Sequence, residues 1–175
     1  MRIVDEENRE LPAGQPGEIV VRGDAVMLGY YNRPRETAET IDKDGFLHTG
    51  DVGYKDKDGY IFIVDRIKEM VIRGGENIYP KEIDNALAGH PKVMEAACVG
   101  VPDKDMGEEV KAFIILRQGQ TATAEEIRGY CAQHLAGFKV PKHVEFLERD
   151  FPRNPIGKVL KKVLKKWAVE GVPDA

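Results

Sequence analysis

Cysteine is nearly absent. The 175 residues hold two, Cys98 and Cys131, each among apolar neighbours. That fits buried thiols in a reducing compartment better than a disulfide framework or a metal site. Long apolar runs are missing too: none approaches the ~20 residues that span a bilayer. The opening MRIVDEENRE lacks the apolar centre of a signal peptide, and a cytoplasmic location is expected. There is no basic excess, since the net charge is −4, so no general attraction to nucleic acid is expected. The histidines at 48, 90, 134 and 143 are scattered without metal-ligand spacing. Neither a nucleophile elbow nor a phosphate loop of the form G-x-x-x-x-G-K-S/T is present. Repeats and low-complexity segments are also lacking.

Two Asp-Lys-Asp-Gly stretches, Asp42–Gly45 and Asp56–Gly59, invite a calcium reading. A calcium loop needs acids at its first, third and fifth positions, glycine at the sixth and glutamate at the twelfth. Counting from Gly59, the first position is Tyr54 and the twelfth Asp65. Counting from Gly45, they are Thr40 and Asp51. Neither register fits, which leaves both stretches as turns and no metal site.

What is present suits a soluble globular chain of one domain or two small ones: 42% apolar and 32% charged residues. Residues 1–65 read as β-rich. GEIVVRG (Gly17 to Gly23) is a short strand, Pro34 to Thr40 a turn or two of helix, and the second Asp-Lys-Asp-Gly closes a hairpin onto YIFIV (Tyr60 to Val64). In IVDRIKEMVI (Ile63 to Ile72) the apolar run is cut by Asp65-Arg66-Ile67-Lys68. After it, helix and strand mix. Pro80 opens a helix that Gly89 ends. Val93–Val101 and Val110–Leu116 are strands. Thr123 and Glu126 form a capping-box pattern before a helix carrying Ile127, Tyr130, Cys131 and Leu135 and stopped by Gly137. Val140–Leu147 is a further strand. Leu160, Val163, Leu164 and Trp167 line one stripe of a last helix.

Four stretches carry chemistry. HTGDVG (His48 to Gly53) sets Asp51 after a glycine. A carboxylate there can accept from two neighbouring hydroxyls, as on a ribose; an ordinary turn aspartate has the same form. GGENIYPKEID (Gly74 to Asp84) pairs two glycines with a helix start. PRNPIGK places Lys158 behind a Pro- and Gly-bearing loop, where a compact cation can meet a carboxylate or a phosphate. Lys161, Lys162, Lys165 and Lys166 then form a basic face. A solvated helix face is the simplest account of it; a membrane surface or calmodulin would suit the same pattern.

In this order and spacing, GEIVVRG, GYYNRPRET, DGFLHTGDVG, DGYIFIVDRIKEMVIRGGENIYPKEID and PRNPIGK resemble the adenylate-forming enzymes: acyl-CoA synthetases, firefly luciferase and peptide-synthetase adenylation domains. The likeness covers Gly17 to about Trp167. It implies an α+β fold in which residues 1–65 are the β-rich end of a large domain's barrel region and residues 66–175 a small mobile C-terminal domain. It implies that Asp51 and Arg66 hold the ATP ribose, that Lys68 is the hinge, that Gly74 and Gly75 belong to the loop lining the coenzyme A tunnel, and that Lys158 is the adenylation lysine. ATP and coenzyme A are the implied cofactors, and a fatty or aryl carboxylic acid the implied substrate. The family's Pro-Lys-Gly phosphate loop and Tyr-Gly-x-Thr-Glu segment are not in this sequence. The expectation is therefore the last part of a longer enzyme, inactive alone, whose missing large N-terminal domain binds Mg2+ and the acyl group. Alternatives are a standalone binding or regulatory module, a carrier-protein adenylation domain, and a luciferase-like oxygenase.

Overall fold

The computed structural model describes residues 1–173 and divides after Lys68 into two compact units. The α+β architecture expected from the sequence is present in both.

In the first unit, β1 (Arg2–Val4), β2 (Gly17–Val21), β3 (Leu47–Lys55) and β4 (Ile61–Arg66) form an antiparallel sheet in that order. The helix α1 (Pro34–Thr40) starts on Pro34, whose fixed φ and missing donor suit a first helical position. Ile3, Val4, Ile19, Val20, Phe46 and Val52 are buried. The guanidinium carbons of Arg2 and Arg22 stand 4.7 and 4.6 Å from the Phe46 ring centroid, adding charge–quadrupole attraction to its burial. Both Asp-Lys-Asp-Gly stretches are turns closed by their first aspartate. Asp42 accepts from the amides of Asp44 and Phe46, and Asp56 from those of Asp58 and Tyr60, all within 3.0 Å.

The interruption expected at Asp65 lies further on. β4 runs through Asp65 and Arg66, and the break is a one-turn 3-10 helix, Ile67–Glu69. Asp65 stays in the strand because it lies opposite Val52 and is buried, with its Oδ1 accepting from the Arg66 amide at 2.8 Å.

The second unit comprises β5 (Val71–Arg73), β6 (Glu76–Ile78), α2 (Pro80–Ala88), β7 (Val93–Asp103), β8 (Gly107–Leu116), α3 (Ala124–His134), β9 (His143–Phe146) and α4 (Lys161–Glu170). The sheet runs β6-β5-β8-β7, and β9 pairs parallel to β8. The β7–β8 pair is apolar along most of its length because both faces are covered. Val110, Ala112 and Ile114 pack with Ile83 and Leu87 of α2 and Ile127 and Cys131 of α3. Phe113 and Ile115 pack with Leu164 of α4. A bulge between Val93 and Glu95 shifts the alternation of β7 by one residue, which turns Val93 to the same face as Cys98.

Several details differ from expectation, among them β7, which runs on to Asp103, and β8, which starts already at Gly107. α3 stops at His134, before Gly137, which instead opens a 3-10 turn. Only half the capping box forms: Thr123 Oγ1 accepts from the Glu126 amide at 3.2 Å, while the Glu126 carboxylate pairs with Lys92 Nζ at 2.8 Å. β9 is shorter than residues 140–147. Cys98 and Cys131 are free and buried. Burial pushes the Cys98 thiol well up, helped by the Asp84 carboxylate, and pushes Cys131 up to about 11. Both stay protonated and unreactive at neutral pH. Among the described residues, no helix is long and apolar enough to cross a membrane.

Candidate functional site

Asp51 and Arg66 are brought together by strand register. They lie opposite each other across β3 and β4, with Arg66 Nε 3.1 Å from Asp51 Oδ1. Their side chains are 27% and 58% exposed, so an external diol can reach the carboxylate. Glu18 holds the backbone before Asp51. Its Oε1 accepts from the Gly50 amide at 2.9 Å and its Oε2 lies 2.7 Å from His48 Nδ1. Thr49 Oγ1 donates to Ile19 O at 2.7 Å and accepts from the Asp51 amide at 3.1 Å. Glu18 was not singled out in the sequence, because a glutamate on a strand face shows no sign of a partner 32 residues away.

Lys68 lies in the 3-10 turn, exposed, as the last residue of the first unit. Gly74 and Gly75 have a local role that the sequence did not show. Arg73 faces Glu76 in the β5–β6 pair, so the two glycines are the whole turn. Their φ values of +56° and +88° are the pair that a type I′ turn needs. The Gly74 amide donates to Met106 O at 2.8 Å, which ties this turn to the β7–β8 connection. A Cβ on Gly74 would stand 2.5 Å from Met106 Cε, whereas one on Gly75 meets nothing within 4 Å. Alanine at either glycine should lower stability by about 1–2 kcal/mol through left-handed backbone strain, with Met106 displaced only by Gly74→Ala. Chemical denaturation of the 175-residue chain checks this; unchanged stability for both would remove the turn as the reason for the glycines.

Lys158 ends a loop made rigid by Asn154. The Asn154 carbonyl accepts from the Gly157 amide at 2.9 Å, closing a β-turn with Pro155 at its second position and Gly157 at φ +83°. Asn154 Oδ1 accepts from the amides of Ile156 and Lys158 at 3.2 and 2.8 Å. Arg153 and Val159 bridge the two feet of the loop. Lys158 is exposed, and no ion pair to its ammonium occurs among the described residues.

The basic face expected of α4 holds only in part. Lys162 and Lys166 are exposed, but the Lys161 side chain is 13% exposed, with Nζ 2.9 Å from Asp84 Oδ2. Sequence periodicity could not find this pair, because 77 residues separate its members. A groove of about 640 Å³ in the second unit is lined by Lys111, Arg128, Lys142 and Glu145. Its cations are paired: Lys111 with Glu145 and Lys142 with Asp103 at 2.6 Å, and Arg128 with Glu125 at 2.7 Å. The Lys142 ammonium, with two backbone amides, holds the Asp103 carboxyl down at about 2.

Residues 82–158 match the model of the AMP-binding enzyme C-terminal domain, and residues 1–31 match that of the AMP-binding enzyme. Over 157 residues the chain is 50% identical to a (methyl-dioxo-octahydroindenyl)propanoyl:CoA ligase of Rhodococcus jostii, covering 90% of this chain and 30% of that protein. A fatty acid–acyl-carrier-protein ligase, ScoC of Streptomyces coeruleorubidus, is 46% identical over 164 residues, covering 94% and 31%. The crystal structure of ATP-bound MatB from Rhodopseudomonas palustris superposes with a TM-score of 0.91 at 40% identity, covering 98% of this chain and 34% of that one. The chain thus spans about a third of the length of these relatives, which are ligases or bind ATP. It belongs to the adenylate-forming, AMP-binding enzymes and corresponds to their C-terminal part.

Proposed function

We propose that this chain is the C-terminal part of an acyl-CoA synthetase acting on a fatty or aryl carboxylic acid. The unit ending at Lys68 is the end of the large domain, and the unit from Glu69 is the mobile C-terminal domain that turns about Lys68. In the first step a carboxylate oxygen attacks the α-phosphorus of ATP and pyrophosphate leaves. In the second a thiol sulfur attacks the acyl carbonyl and AMP leaves with the bonding pair.

The observation that carries the reading is Lys158, an exposed ammonium on a loop closed by Asn154 and Gly157. A cation placed this way offsets the repulsion between two approaching anions without reorganising as charge develops. Asp51 accepts from the ribose hydroxyls, and Arg66, across the strand pair, contacts the ribose as well and keeps that carboxylate oriented. These residues fit the ribose chemically: the carboxylate is acceptor-only, partly exposed and held on a sheet. The Gly74–Gly75 turn lines the path of the pantetheine arm, and Mg2+ is held by the large domain.

Carboxylate-dependent ATP–pyrophosphate exchange by the longer enzyme tests the reading. Exchange with one class among fatty and aryl acids is expected, and its absence with every acid would overturn the proposal. Asp51→Asn removes a charge-assisted hydrogen bond of about 1.5–3 kcal/mol, so KM for ATP should rise about 10- to 100-fold. An unchanged KM would remove Asp51 from the ribose site. The acceptor is the finer point. ScoC, 46% identical, passes its acyl group to a carrier protein, which favours a carrier-protein acceptor as the second reading. Thioester formation with free coenzyme A decides between the two.

A further inference from the structure

Lys161 begins α4, three residues after Lys158, and its ammonium is enclosed by carboxylates. Nζ lies 2.9 Å from Asp84 Oδ2 and 3.6 Å from Glu69 Oε2. Asp84 sits on α2, and its other oxygen accepts from the Cys98 amide of β7 at 2.7 Å. One carboxylate thus joins α2, β7 and the start of α4. Burial pushes the Asp84 carboxyl up and the Lys161 charge opposes that shift, so the two charges depend on each other. Glu69 is the first residue of the second unit, next to Lys68. The other foot of the Lys158 loop is fixed separately. Arg153 pairs with Glu95 of β7 and donates from Nη1 to Gly157 O at 2.9 Å, and the Leu160 amide donates to Pro152 O at 2.8 Å.

We propose that Lys161 is a positioning residue for Lys158: through Asp84 and Glu69 it fixes the lysine-bearing loop to the residue at which the second unit begins. A change of backbone angle at Lys68 then carries Lys158 with it as part of one rigid body, with no slack between hinge and reacting group. The inference rests on Lys158 being the adenylation lysine.

The test has two arms. In the longer enzyme, Lys161→Met should lower acyl-adenylate formation by about 10- to 100-fold, the cost of displacing a reacting group by about 1 Å. Thioester formation from supplied acyl-adenylate should remain, and Lys161→Arg should restore most of the lost rate. A merely structural role would lower both half-reactions together. In the 175-residue chain, Lys161→Met should speed amide exchange of Gly157 and Lys158 on the order of tenfold as the loop opens locally, while Val110 in the core is unaffected. Should Lys161→Met not fold, Glu69→Gln removes a partly exposed carboxylate and should give the same selective loss in smaller degree. Unchanged adenylation, or equal loss of both half-reactions with unchanged loop exchange, would overturn the proposal. If Lys158→Ala itself spares adenylation, the catalytic reading fails instead, and the exchange arm still reports whether Lys161 holds the loop.

Discussion

Replacing Lys158 with alanine should lower acyl-adenylate formation by about 10²–10³-fold, the usual cost of removing one group that stabilises developing charge, and should spare thioester formation from supplied acyl-adenylate. The two half-reactions differ in what they ask of this residue. Adenylation brings a carboxylate against a triphosphate, and an ammonium between them lowers the barrier. The second step brings a thiol to an acyl carbonyl, with AMP as leaving group, and the anion–anion approach is gone. The loop itself should survive the substitution, because Asn154 holds it through the backbone amides at 156 and 158 and leaves the lysine side chain out of the scaffold. Lys158→Arg should recover only part of the rate, since a planar fork replaces a compact charge. Equal loss of both half-reactions in Lys158→Ala would contradict the assigned role.

The largest stability effect is expected at Phe113. Its side chain is fully buried on the α4 side of β8, with Leu164, Leu147 and Phe151. Phe113→Ala should cost about 3–5 kcal/mol, the transfer free energy of the ring plus that of the cavity it leaves. That is a large part of the ~5–15 kcal/mol by which a domain is folded. Trp167 packs against the same cluster and is the sole tryptophan, so its fluorescence reports unfolding of the second unit without interference from the first. The denaturation midpoint followed at Trp167 should fall sharply. A shift no larger than that of a surface substitution would mean that α4 is not held by this core. Because α4 begins at Lys161, loosening it should also weaken the adenylation half-reaction.

Local patterns were enough for much of this chain. Pro80 and Gly89 bound α2 as expected, the Asp-Lys-Asp-Gly stretches are turns, and the apolar spacing of Ile83 with Leu87 and of Leu164 with Trp167 marks the inward faces of two helices, although Leu160, also expected in the second stripe, precedes α4 and is exposed. These features were legible because their causes lie within a few residues: a fixed φ, a side chain reaching its own backbone, a helical repeat. The motif order also singled out Asp51, Arg66, Gly74, Gly75 and Lys158 as candidates. What the sequence could not show was how residues far apart in the chain meet. The Asp51–Arg66 pair depends on strand register, the Gly74 turn on an amide reaching Met106, and the burial of Lys161 on Asp84 from a helix 77 residues earlier. Asp65 shows the same limit, since a charged residue in an apolar run reads as a break until the strand opposite is known. Periodicity describes one element against an averaged environment. Whether a charge is solvated or enclosed is decided by which elements pack around it, and only the tertiary structure supplies that.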